Sequence, residues 1–142
     1  MILKNVTLEG ECVTLVLEEG KIKEIVKNDL QKYDEYADCS GLIVIPGLID
    51  VHTHGREGMD TMDADFAPLV DSYAKMGTTS VLLTTMTLGN EALSRVTHSK
   101  APQKGAHILG IHLEGPYISE SKLGAQNPEH VRLPSLAEFQ AF

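Results

Sequence analysis

The stretch GLIVIPGLIDVHTHG, Gly41 to Gly55, decides how this chain is read. An almost unbroken apolar run ends in two histidines one residue apart. Strands of a parallel sheet are covered on both faces, so they read as continuous hydrophobic runs without alternation. Pro46-Gly47 breaks the run in two. The part from Leu48 onward is therefore expected to be a buried parallel strand carrying His52 and His54 at its carboxyl end. Residues i and i+2 of a strand point to the same side, so the two imidazoles share a face and can grip one metal ion. The carboxyl ends of parallel strands are where α/β folds build their sites.

Downstream, strands and helices alternate. Phe66, Leu69, Val70 and Tyr73 recur at helical spacing within Phe66 to Met76, and Gly77 is placed to stop that helix. Thr79 to Thr85 is β-branched and apolar, a second buried strand. Asn90 to His98 is expected to be a short helix capped by Asn90. Ala106 to Leu113 reads as a third strand. From Gly115 onward a long loop is expected, then a short helix beginning near Pro134-Ser135. This order points to parallel βαβ units.

Upstream, the chain looks all-β. Val13, Leu15 and Leu17 alternate with polar or small neighbours, as in a half-buried strand. Glu18 to Lys21 is a turn and Lys21 to Val26 a return strand. Asn28 to Ser40 is polar and read as loop. The whole chain has 142 residues, 42% of them hydrophobic, which suits a globular protein with a real core. Its net charge of −8 argues against nucleic acid or an anionic membrane as partner. No apolar run approaches the roughly 20 residues that span a bilayer, and the first residues do not have the form of a signal peptide. Cys12 and Cys39 are expected to be free, half-buried thiols in a reducing cytoplasm.

The third strand repeats the logic of the first. Gly110, His112 and Glu114 share one face; Leu109, Ile111 and Leu113 share the other and are expected to pack against helices. A carboxylate at the strand's carboxyl end is costly unless paired or metal-bound, which makes Glu114 the third candidate ligand. His112 reads best as a hydrogen-bonded interior histidine one layer below. Two histidines and a carboxylate suit Zn²⁺ first, with Fe, Mn or Co as alternatives. Such an ion makes water nucleophilic near neutral pH and polarises a carbonyl, which is hydrolytic chemistry.

The run PGLIDVHTHG, Pro46 to Gly55, resembles the first barrel strand of the amidohydrolase superfamily. GIHLEGPYIS, Gly110 to Ser119, followed by GAQNPEHV, Gly124 to Val131, is similar to the N-acetylglucosamine-6-phosphate deacetylase family within it. The resemblance implies an α/β fold. Residues 1–45 would be part of a small β-sandwich domain, and 46–142 the first strands and helices of a (β/α)8 barrel. It implies deacetylation of N-acetylglucosamine 6-phosphate to glucosamine 6-phosphate and acetate in the cytoplasm, commonly by a homodimer. Glu114 matches the family's metal ligand, and His52 and His54 match a pair found in two-metal members. Ala125 matches a position whose main chain contacts the amino sugar. The family usually carries His at the next position, where Gln126 stands here.

The family's further metal histidines, its catalytic aspartate and most phosphate-binding residues lie beyond Phe142. A closed barrel needs about 250 residues, and this chain offers about three strands of one. The expectation is an inactive amino-terminal fragment of an active parent. Two other readings stay open: a deaminase or cyclic-amide hydrolase of the same superfamily, or a metal-binding assembly fragment without catalysis. Among the remaining residues, Asp50 either orients a ligand histidine or caps a turn. Asp63 reads as a helix N-cap, Arg56 and Glu57 as a solvated pair, and His98, His107 and His130 as ordinary surface or packing histidines. Met59, Met62 and Met86 are core filler, and Tyr117 packs under the Pro116 turn.

Overall fold

The computed structural model describes residues 1–27 and 33–142. It divides into two compact units, Met1–Pro46 and Gly47–Phe142. The expected loop over 28–40 lies outside the described residues at positions 28–32.

The first unit is a sheet of β1 (Ile2–Leu8), β2 (Glu11–Glu18), β3 (Lys21–Lys27), β4 (Ala37–Asp38) and β5 (Ile43–Val44). β2 pairs antiparallel with both β1 and β3, while β4 and β5 run parallel to β1. The β2–β3 connection is the two-residue turn Glu19-Gly20, with φ of 52° and 74°. Positive φ at both positions gives a turn whose twist matches that of the flanking strands. Val6, Val13 and Leu15 form the core, with Leu3, Leu8, Leu17, Cys39 and Val44 packed against it. β1 was not legible from periodicity. Its register shifts between Leu3 and Val6, around Asn5 at φ 61°, and such a bulge breaks the alternation that a sequence pattern relies on. Cys39 is half-buried as expected, but Cys12 is exposed.

The second unit holds the parallel sheet, in the order β10-β9-β6. Its strands are β6 (Leu48–Thr53), β9 (Thr78–Thr84) and β10 (His107–His112). Both pairings are parallel. A small hairpin, β7 (Gly55–Arg56) with β8 (Met59–Asp60), follows β6 directly. α1 (Phe66–Lys75) links β6 to β9, and α2 (Asn90–Thr97) links β9 to β10. α1 presents Phe66, Leu69, Val70 and Tyr73 to Val81 and Leu83 of the central strand β9, and Val96 of α2 and Ala106 join this core. Three-residue turns at Glu120–Lys122 and Pro128–His130 precede α3 (Leu136–Phe139). Its Ser135 cap accepts from the Glu138 amide at 3.3 Å.

Three expectations need correcting. The run from Gly41 to Val51 is extended but not buried: Ile43, Leu48, Ile49 and Val51 are each more than half exposed. β6 is an edge strand among the described residues, and a parallel strand is buried only where layers cover both its faces. On β10 the core residues are Ile108 and Ile111, not the set Leu109, Ile111 and Leu113. The pairing with β9 shifts between Ile108 and Gly110, and this turns Leu109 outward to 49% exposure. Asn90 is the first helical residue of α2 and not its cap, a position held by Gly89. The Asn90 side-chain oxygen accepts from the Arg132 guanidinium instead.

Candidate metal centre

β6 carries His52, His54 follows directly after its last residue, and Glu114 lies two residues beyond the end of β10. Their donor atoms all lie within 4.8 Å of one another. Nε2 of His52 is 2.9 Å and Nε2 of His54 is 3.2 Å from the same oxygen, Glu114 Oε2. That oxygen is buried and accepts no hydrogen bond. The Nδ1–H of His54 donates to the Thr84 carbonyl at 3.2 Å, since a carbonyl only accepts. In the neutral imidazole, the form that ligates a metal, the Nε2 lone pair then faces the carboxylate. A lone pair and a desolvated carboxylate oxygen this close repel unless a proton or a metal cation lies between them. The donor set therefore fits a divalent metal held by two imidazoles and a carboxylate.

The threonines at the end of β9 build the frame around these ligands. Thr84, Thr85 and Thr87 are fully buried, and a buried hydroxyl needs partners. Thr84 Oγ1 accepts the Thr53 amide at 3.1 Å, fixing β6 beside β9. Thr85 Oγ1 accepts the Glu114 amide at 3.3 Å, and Thr87 Oγ1 donates to the Glu114 carbonyl at 3.1 Å. Both histidines and the glutamate are thus set against one strand end. The run TSVLLTT reads as β-branched strand, and only its trailing polar threonines hinted at this second task.

Gln126, which the sequence marks only as standing where the resembled family carries His, adjoins the cluster. It is 7% exposed, its amide NH2 donates to Glu114 Oε1 at 2.5 Å, and its amide oxygen accepts the Thr87 backbone N–H at 2.7 Å. Ala125, beside it, is exposed on the loop after the Glu120–Lys122 turn. His112 is exposed, its ring 5.0 Å from that of His52 in an edge-on arrangement.

Other singled-out residues serve local structure. Asp50 accepts the backbone N–H of His52 at 3.1 Å, a local bond within β6, and caps no turn. Asp63 is not the cap of α1, which starts after Asp65. It accepts the Asp60 amide at 3.0 Å, while Asp60 caps the turn Thr61–Asp63 by accepting from Met62 at 2.8 Å. Arg56 and Glu57 are more than a solvated pair. The Arg56 guanidinium lies 5.1 Å from the Tyr73 ring centre, and Glu57 accepts from the Ser72 hydroxyl and from Arg56, each at 2.9 Å. The Ser72 hydrogen bond, then Arg56, holds the Glu57 carboxyl below its ordinary pKa. A cleft of about 340 Å³ opens beside His54, walled by Arg56, Met59 and Asp60. Tyr117 does not pack under Pro116 alone; its hydroxyl donates to Glu138. Met59 and Met62 border the core of the second unit. His98 bonds within the end of α2, and the His130 carbonyl accepts from Arg132 at 2.8 Å.

No family model matches the sequence. Curated relatives and solved structures do. The N-acetylglucosamine-6-phosphate deacetylase of Bacillus subtilis is 45% identical over 101 residues, covering 63% of this chain and 26% of that protein. The crystal structure of the Thermotoga maritima deacetylase superposes on the whole chain with a TM-score of 0.79 and 30% identity, over 39% of its own length. A point mutant of the Mycobacterium smegmatis deacetylase, solved in complex with N-acetyl-D-glucosamine-6-phosphate, matches 99% of the chain with a TM-score of 0.81 and 27% identity, over 39% of its length. The chain spans between about a quarter and two fifths of the length of the deacetylases it matches. In sequence and in fold the chain is similar to part of the N-acetylglucosamine-6-phosphate deacetylases.

Proposed function

We propose that this chain carries the His52–His54–Glu114 half of the metal centre of an N-acetylglucosamine 6-phosphate deacetylase. The observation that carries the reading is the convergence of two imidazole nitrogens on one desolvated, hydrogen-bond-free carboxylate oxygen. Residues 1–45 would form part of a small β domain and 46–142 the opening of the catalytic barrel. His52, His54 and Glu114 would hold a divalent ion, Zn²⁺ being the best match to two histidines and a carboxylate. Such a cation supplies Lewis acidity, both for an acetyl carbonyl and for making water nucleophilic near neutral pH.

The chain's own residues position the reaction. The Thr84 carbonyl keeps His54 in one tautomer, and Thr85 and Thr87 hold the Glu114 main chain beside the end of β9. The cleft beside His54 would give an amino sugar a place to lie, and the Ala125 main chain, next to Gln126, would contact it. The complex named for the mycobacterial relative supports a sugar phosphate as the class of substrate. A homodimeric, cytoplasmic parent is part of the same reading. With three ligands and a share of the barrel, the 142-residue chain alone is expected to release no acetate.

A chimera tests the activity. This chain would replace the matching segment of the Bacillus subtilis relative, and acetate release from N-acetylglucosamine 6-phosphate would be measured. Release by the chimera, cut at least a hundredfold by Glu114→Gln, is the expected result. A folded chimera that releases acetate equally well with Glu114→Gln rejects the role given to this carboxylate.

A further inference from the structure

The geometry points to Gln126 as the residue that aims Glu114 at the metal, an inference that rests on the metal-centre reading above. The orientation of its amide is not a free choice. The Thr87 backbone N–H can only donate, so the group 2.7 Å from it must be the amide oxygen. The NH2 end is then left facing Glu114 Oε1, at 2.5 Å. Burial of Gln126 keeps water from competing for either bond. One carboxylate oxygen is therefore taken by Gln126, and the other, Oε2, is turned to the two imidazoles.

The consequence is a ligand presented through one chosen oxygen. A carboxylate on a strand end can rotate about its last bond and offer either oxygen, or both. Gln126 removes that freedom and ties the rotation to β9 through Thr87. Outer-shell hydrogen bonds of this kind are commonly worth 10- to 100-fold in metal affinity. Gln126 is thus a positioning residue: it acts through Glu114 and touches no reacting atom.

Co²⁺ titration of the 142-residue chain, read by its visible absorption, tests this with Gln126→Met and Glu114→Gln beside the native chain. Gln126→Met keeps the length of the side chain but neither hydrogen bond. We expect it to weaken Co²⁺ binding at least tenfold and to change the absorption bands, while Glu114→Gln abolishes the spectrum. A Gln126→Met chain that matches the native affinity and spectrum, with Glu114→Gln still silent, overturns the Gln126 inference and leaves the metal centre standing. Native binding by Glu114→Gln overturns the metal centre and this inference with it. Should Gln126→Met fail to fold, the native chain decides through NMR of the Gln126 side-chain amide. Slow exchange and a shift on adding Zn²⁺ support the inference; solvent-rate exchange with no shift overturns it.

Discussion

At Gly115 a methyl group has nowhere to go. The residue sits at φ +81°, and a Cβ there would lie 2.0 Å from Thr87 Oγ1. That hydroxyl donates to the Glu114 carbonyl, and the Thr87 amide holds Gln126. The glycine of the HLEGP run therefore lets the chain leave β10 while pressed against the residue that organises the ligand. Gly115→Ala combines a left-handed backbone penalty of about 1–3 kcal/mol with the displacement of Thr87. Thermal unfolding should fall by roughly 5 °C or more, and Co²⁺ affinity should drop with it. A variant with native unfolding and native affinity would show that the close approach has no consequence. At this scale the sequence announced the cluster but not its orientation. His52, His54 and Glu114 are legible as candidate ligands because such residue types at strand ends are unusual. Gln126 is not, because a glutamine in a loop has no periodicity to betray that both ends of its amide are used.

α3 shows what an element owes to its surroundings. Four residues cannot sustain a helix alone, since nucleation costs more than so few hydrogen bonds return. Arg132 holds it in place. Its Nε donates to both Glu138 oxygens at 2.9 and 3.0 Å, and its Nη1 donates to the carbonyls of Leu88 and His130 at 3.3 and 2.8 Å. The Arg132 hydrogen bonds, then the Tyr117 hydroxyl, lower the Glu138 pKa to about 2. A carboxylate whose folded pKa lies below its unfolded value, about 4.5, stabilises the fold above that value and loses the contribution as pH falls towards 2. Protection factors of the α3 amides, with the intrinsic pH dependence of exchange divided out, should fall across that window in the native chain and stay level in Glu138→Gln. Equal pH profiles for the two proteins would remove Glu138 from the account. The helix itself was legible from Pro134-Ser135, because an N-cap is a local signal. The bulges in β1 and β10, and the loss of Asn90 as a cap to Arg132, were not, because each is set by a partner on another element.

For the molecule as a whole, the second unit leaves apolar surface uncovered. Leu48, Ile49, Val51 and Leu109 of its parallel sheet are each about half exposed or more, whereas parallel sheets are ordinarily covered on both faces. β6 and β10 are also edge strands among the described residues, with backbone groups available for pairing. The isolated chain should therefore self-associate as its concentration rises. Ile49→Lys, which puts a charge on the β6 edge, should shift sedimentation towards monomer while changing Co²⁺ affinity by less than about twofold, since effects at well-separated sites combine nearly independently. Sedimentation unchanged by the substitution would mean that this face does not drive association. No helix among the described residues is long and apolar enough to cross a membrane.

By itself the sequence determined the alternation of strands and helices, the hairpin at Glu19-Gly20, the core face of α1 and the placing of His52 and His54 at a strand's end. Each of these is set by neighbours within one or two turns of chain, where hydrophobic spacing and turn residues report the environment directly. Only the tertiary structure decided which oxygen of Glu114 meets the imidazoles, which nitrogen of His54 carries the proton and what orients Gln126. Those outcomes depend on contacts between residues 12 to 62 positions apart. Such contacts follow from strand register, and a one-residue shift in register, of the kind seen between Ile108 and Gly110, redirects every side chain beyond it.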